Sequence, residues 1–493
     1  MANKFLISVD QSTSGTKALL FDAKGTLLER ADLPHDQIIN DLGWVEHDPI
    51  QIYENTVQVV KDVIAKAGVP KWDVTCLGIS NQRETALVWN RRTGLPIYNA
   101  IVWQCARGAA ICDRIEAQGH ADMIAQTTGL NLSPYFSAAK IAWVLENVEG
   151  ARELAAAGDL CAGTIDSWLV YKLTGGTAFK TDYSNASRTQ MFDIHKLAWS
   201  EEVCACFGID TGMLAQVCDS NSLFGHTDFD GYLEAPIPIH GVLGDSHGAL
   251  YGQGCLEKGM IKATYGTGSS VMMNIGDTPV MSKHGLVTSL AWSMDGKVNY
   301  VLEGNINYAG AIMKWLVEDV HLIENAAQTS ELAAAANPDD QTYLVPAFSG
   351  LGAPYWDNDA RASIVGMSRT TGKAELVKAA TDAIAYQDFD IVDAMRKDAG
   401  LEIKELRADG GPTKNPYLMQ FQSDLLGIPV QIPQFEELSG IGAAYAAGIG
   451  MGFYDMSVFE NMQYNGYAPQ MEAERRDGLI EGWHAAVGRT LTK

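Results

Sequence analysis

The chain has 493 residues, 47% hydrophobic and 19% charged, a globular composition whose length implies two domains of roughly 250 residues each. Its net charge of −24 excludes the basic footprint needed for nucleic acid or stable membrane association, although a nucleotide shielded by a divalent cation and backbone N–H groups remains compatible. The eight cysteines show no C-x-x-C or zinc spacing, and the only early apolar run, Phe5–Val9, is too short for a signal peptide, so buried free thiols in a cytoplasmic protein are expected.

Phe5–Val9 and Ala18–Phe21 read as the arms of a β-hairpin, joined by a turn carrying Asp10, Ser12, Thr13, Ser14, Gly15, Thr16 and Lys17. Backbone N–H groups, hydroxyls and the Lys17 ammonium suit an anion, and Asp10 suits a hard cation beside it. Asp48-Pro49 reads as the cap and first residue of a helix whose Tyr53, Val57, Val60, Ile64 and Ala67 share one face until Gly68. Val74–Ser80 is a strand leading into Asn81-Gln82-Arg83-Glu84, followed by apolar Thr85–Trp89 and Ala100–Trp103. Ser137 is expected to cap a helix over Ala138–Asn147.

About half a chain after the first hairpin, Met260–Thr264, the turn Tyr265–Ser270 and Val271–Asn274 repeat its plan. Two copies imply two related domains facing one ligand, divided near Gly252–Lys258 into 1–254 and 255–493. Leu406–Asn415 runs from a strand through Gly410-Gly411 to a helix capped at Asn415-Pro416, an arrangement that suits phosphates. Gly440–Gly448 reads as a closely packed helix, because no strand leads into a G-x-G-x-x-G pattern there. Strands and helices alternate throughout, which gives an α/β class. The Walker and protein-kinase signatures are both missing.

Asp10–Lys17, Tyr265-Gly266-Thr267-Gly268 and Ala408-Asp409-Gly410-Gly411 resemble the two phosphate motifs and the adenosine motif shared by sugar kinases, actin and heat-shock chaperone ATPases. Gly43–Pro49, Asn81–Thr85, Tyr98–Gln104, Ser137–Trp143, Asp182–Arg188 and Gly350–Trp356 are similar to the FGGY carbohydrate kinase family, particularly its members that phosphorylate glycerol. The resemblance implies two ribonuclease-H-like domains of actin/sugar-kinase type flanking a central cleft, with ATP, Mg²⁺ and a small polyol or sugar meeting in it. By position, Asp245 in Gly244–Gly248 would be the general base and, with Asp10, the magnesium anchor. Ser12, Thr13, Ser14, Lys17, Gly266 and Thr267 would surround the phosphates, and Gly310, Lys314, Gly411 and Asn415 would contact adenosine. Arg83 and Glu84 would bind neighbouring hydroxyls, since a donor-rich cation beside an acceptor-only carboxylate suits a vicinal diol. Trp103 and Tyr135 would wall the carbon chain, with Ser246 and Ser270 lining the same pocket. A homo-oligomer remains compatible with all of this.

The chain departs from the family at several places. Ser246-His247 stands where Gln-Gln is usual, Ser270 where Phe is usual, and Ser12 where Gly is common. The acidic segment His226–Pro236 lies where some relatives bind a sugar bisphosphate through a basic loop, so regulation by that anion is not expected. The expected reaction is ATP-dependent phosphorylation of a polyol hydroxyl, glycerol to glycerol 3-phosphate, with a tetritol, pentitol or pentulose as the alternative because two small serines open volume. An actin-like nucleotide-dependent scaffold or chaperone is the alternative of another class; it would need neither the Arg83–Glu84 pair nor Asp245.

Overall fold

Phe5, Ile7 and Val9 enter one buried cluster while Leu6 enters another, so the first strand is covered on both faces. That explains its unbroken apolar run. In the computed structural model, which describes residues 4–492, this strand, β1 (Phe5–Gln11), lies inside a six-stranded sheet. Its companions are β2 (Gly15–Phe21), β3 (Leu27–Pro34), β4 (Val74–Asn81), β5 (Gly225–Thr227) and β6 (Ile237–Gly244), in the order β5-β6-β4-β1-β2-β3. β1 to β3 form an antiparallel meander; β4 runs parallel to β1 and β6 parallel to β4.

The second sheet repeats this plan with β7 (Ile261–Tyr265), β8 (Ser269–Gly276), β9 (Val287–Met294), β10 (Lys297–Ile306), β11 (Leu406–Gly410), β12 (Val430–Pro433) and β13 (Tyr464–Tyr467). β7, β8 and β10 are successively antiparallel, and β11 and β12 add in parallel. The likeness read from two short hairpins therefore extends over five strands of each sheet.

Helix α1 (Pro49–Ala67) begins where Asp48 Oδ1 accepts the Ile50 N–H at 2.8 Å and ends at Gly68, whose φ of 65° is left-handed. Its Val57, Val60 and Ile64 bury against the first sheet. A smaller sheet (Ile38–Ile39, Val45–His47, Ala100–Ile101, Ala86–Asn90, Leu160–Thr164) packs with α2 (Ser137–Asn147) as a separate core. Ser137 is the first residue of α2 and does not cap it: its hydroxyl donates to the Glu84 carbonyl at 3.0 Å. The short helix α3 (Tyr183–Ala186) is capped by Asp182.

Two further helices lie between the sheets. Leu250 and Tyr251 of α4 (Asp245–Gly252) and Ile441, Ala444 and Tyr445 of a late helix, Leu438–Gly450, share a core with Leu6, Leu19 and Phe21 of the first sheet and Met272 and Val301 of the second. The second half also holds α5 (Gly310–Lys314), α6 (Lys373–Ala399) and α7 (Pro416–Leu426), besides Gln328–Ala335 and the terminal Ala473–Thr490; Leu438–Gly450 is labelled α8. α6 and α7 cover the second sheet's outer face. Six cysteines are buried, but Cys206 and Cys218 are partly exposed, contrary to expectation. Among the described residues no helix is long and apolar enough to cross a membrane.

Candidate active site

In the first sheet, Gln11 pairs with Asn81 and Asn81 with Gly244, so Asp10, Arg83 and Asp245 gather at one end of three parallel strands. Ligands of open α/β sheets bind at such ends. In the second sheet Tyr265 pairs with Gly410, which sets the Gly266-Thr267-Gly268 turn beside Gly411. The Gly310 N–H donates to the Gly266 carbonyl at 2.9 Å, and a Cβ at Gly310 would stand 2.5 Å from that oxygen, so only glycine fits. Thr267 O accepts from Ala309 and Ala311 at 2.9 and 3.0 Å. Gly266, Thr267, Gly310 and Gly411 are thus brought together. Lys314 is exposed, 3.5 Å from Glu318, and Asn415 is committed to the fold: its Oδ1 accepts the Leu418 N–H at 3.0 Å while its Nδ2 donates to Thr329 at 2.9 Å.

The first hairpin turn is closed by Ser12, whose N–H and hydroxyl donate to the Gly15 carbonyl at 2.8 and 3.0 Å; Ser14 Oγ lies 3.5 Å from Ser12 Oγ. Lys17 has a partner within the fold. Its ammonium donates to Glu437 Oε2 at 2.8 Å, at the start of α8, and Arg30 holds the other oxygen. Asp10 is 7% exposed and its Oδ1 has no hydrogen-bond partner. Burial pushes its carboxyl up to about 6; Lys17 opposes the rise and Asp245 adds to it. A buried carboxylate with an unpartnered oxygen, near a second carboxylate, is a donor set whose chemistry suits a hard divalent cation.

Arg83 and Glu84 are buried, 6% and 2% exposed, and are no surface ion pair. Glu84 has a φ of 58°, costly for a residue with a Cβ, and is held by Arg188 Nε, which donates to Oε1 at 2.6 Å. Arg83 Nη1 and Nη2 donate to Glu303 at 3.0 and 2.9 Å, and its Nε lies 3.3 Å from Asp245 Oδ1. Burial alone would raise the Glu303 carboxyl, but the Arg188 and Arg83 guanidiniums outweigh it and hold the group well below the usual range. The Ser270 hydroxyl also donates to Glu303, at 3.2 Å.

Trp103 and Tyr135 stand side by side, ring centroids 5.5 Å apart, and Trp103 Nε1 donates to Thr13 Oγ1 at 3.0 Å. The Tyr135 loop is gathered by Lys140, whose ammonium donates to the carbonyls of Pro134, Tyr135 and Phe136. Ser246 is half-buried in the first turn of α4, its N–H donating to Asp245 Oδ1 at 2.6 Å. His247 is fully buried, its Nε2 3.3 Å from Ser289 Oγ, so it backs the site rather than lining it.

Sequence reasoning missed Glu303, Arg188, Lys262 and Glu437. Lys262 is fully buried, without a partner for its ammonium, and burial pulls its pKa down against the attraction of Asp409. A signal existed: Ile-Lys-Ala and Leu-Glu-Gly set a charge inside an apolar strand, and such charges are seldom buried unless paired.

Residues 5–252 match the N-terminal domain, and 261–451 the C-terminal domain, of the FGGY family of carbohydrate kinases. Glycerol kinase 2 of Thermotoga maritima is 45% identical over 491 residues, covering 99% of both chains. Glycerol kinase of Alkaliphilus oremlandii is 45% identical, covering 99% of this chain and 97% of its own. The Plasmodium falciparum glycerol kinase solved with ADP superposes with a TM-score of 0.94 at 35% identity, covering 100% of this chain and 99% of its own. Xylulose kinase from Lactobacillus acidophilus shares the fold, with a TM-score of 0.88 at 19% identity over 99% of this chain and 97% of its own.

Proposed function

Because the chain belongs to the FGGY family of carbohydrate kinases, we propose that it transfers the γ-phosphoryl group of ATP to a hydroxyl of a small polyol, with glycerol the leading acceptor and glycerol 3-phosphate the product. The observation that carries this reading is Arg83 Nε 3.3 Å from Asp245 Oδ1, next to Glu84 and the Trp103–Tyr135 wall. Arg83 and Glu84 bind adjacent hydroxyls, and Asp245 accepts the proton of the attacking one. Thr13, Thr267 and the backbone of both turns face the transferring group, where donors aimed at developing charge lower the barrier. Asp10 and Asp245 would hold Mg²⁺, which when bound neutralises phosphate charge. In this reading residues 1–254 carry the acceptor and phosphate side, residues 255–493 the adenosine side, and the protein works in the cytoplasm.

A longer acceptor is the second reading. Ser270 and Ser246 present small hydroxyls beside the clamp, and that volume suits a tetritol, pentitol or pentulose. A coupled ADP-release screen over glycerol, dihydroxyacetone, tetritols, pentitols and pentuloses decides between them by kcat/KM. Release that no acceptor stimulates would refute both.

A further inference from the structure

We infer that Glu303, on β10 of the second sheet, is a positioning residue for the acceptor clamp of the first: it fixes the Arg83 guanidinium beside Asp245 and, through Arg188, orients Glu84. Leu302 enters the core behind the second sheet and Val301 the core between the sheets, so strand alternation sends Glu303 toward the first sheet as well. Both carboxylate oxygens are engaged. Oε1 accepts from Arg83 Nη2 at 2.9 Å and Ser270 Oγ at 3.2 Å; Oε2 accepts from Arg83 Nη1 at 3.0 Å and lies 2.8 Å from Arg188 Nη1.

This two-pronged contact defines the plane of the Arg83 guanidinium, a geometry that a lysine or a single contact would not impose. With Nη1 and Nη2 committed, Nε is the edge turned to Asp245. Arg188 likewise has one nitrogen against Glu303 and its Nε on Glu84. A fully buried carboxylate is an expensive way to fill space, since apolar residues of equal volume often serve stability as well or better. What an apolar residue would not supply is direction. The second sheet thereby sets the clamp of the first, and acceptor affinity depends on how the sheets are seated.

The inference rests on the reading that Arg83 and Glu84 hold the acceptor. Its test uses Glu303→Gln and Glu303→Asp in the full chain, with steady-state kinetics in acceptor and ATP, thermal unfolding, and a crystal structure of each variant. Glu303→Gln is expected to raise the acceptor KM at least tenfold while the ATP KM stays within twofold, with the Arg83 guanidinium displaced from Asp245. Glu303→Asp keeps the charge but withdraws it by one methylene, so a smaller rise in acceptor KM is expected at near-normal Tm; it carries the test if the glutamine variant does not fold. An acceptor KM within twofold of wild type in a folded variant, or a fall in kcat with both KM values unchanged, would overturn the inference. If no acceptor stimulates ADP release by the wild type, the functional reading fails, and the crystal structures decide alone: Arg83 displaced upholds the positioning role, and Arg83 unmoved removes it.

Discussion

Asp245 shows how much one residue's neighbours decide. Its Oδ1 takes the Ser246 N–H at 2.6 Å and faces Arg83 Nε at 3.3 Å, so Oδ2 is the oxygen left to receive a proton. Asp245→Asn keeps the shape and removes the proposed base; kcat is expected to fall by ~10²–10⁴ with little change in the affinity for an ATP analogue measured by calorimetry. Near-normal turnover in the purified variant would remove the assignment.

A second residue, Asp388, links chemistry to stability. It accepts the Tyr265 O–H, its Oδ1 has no partner, and burial pushes it up to about 7 against that hydrogen bond. The folded pKa lies above the unfolded one, so between about 4 and 7 the folded state binds the extra proton and stability falls as pH rises. Above 7 the full cost, on the order of 4 kcal/mol, is present. Asp388→Asn is therefore expected to unfold several degrees higher than wild type at pH 8, an advantage that shrinks toward pH 5. Equal Tm differences at both values would contradict this. Nothing in the sequence distinguishes Asp388 from an exposed helical aspartate, whereas Asp10, Arg83 and Asp245 sit in recognisable motifs.

At the scale of elements, α4 and α8 are the joint between the sheets. Gly248 and Gly252 on α4 face Ser439, Leu438 and Gly442 on α8, and a Cβ added at Gly442 would overlap the Gly248 carbonyl oxygen. Gly442→Ala must push two backbones apart, at a cost of ~1–3 kcal/mol typical of overpacking. A lower Tm is expected in thermal unfolding, with kcat reduced as well, because α4 begins at Asp245 and α8 just after the Glu437 that holds Lys17. An unchanged Tm would show that the joint has slack. The glycine and alanine content of α8 already announces close packing; its partner, α4, lies almost two hundred residues earlier, and only the fold shows that the two meet.

On the scale of the whole molecule, the two sheets carry matching hairpins and are linked by the Glu303–Arg83 pair. Two such surfaces exclude water from a transferring phosphoryl group only by approaching each other. Small-angle scattering with saturating polyol and a non-hydrolysable ATP analogue is expected to give a smaller radius of gyration than the free protein. An unchanged radius under saturation would rule out a hinge at α4 and α8.

The sequence by itself determined the local grammar: the hairpins, the capped starts of α1 and α7 at Asp48 and Asn415, the glycine-rich α8 and the motifs holding Asp10, Arg83, Glu84 and Asp245. Turns, caps and periodicity depend on neighbours a few residues apart, which is what a sequence displays. Tertiary structure alone decided that Ser137 serves Glu84 instead of its helix, that Lys17 turns to Glu437, and that Glu303 reaches across the cleft to Arg83 and Arg188. A buried charge or hydroxyl takes whichever partner the packing brings within about 3 Å, because desolvation makes the unpaired state costly. That choice is made between residues hundreds of positions apart.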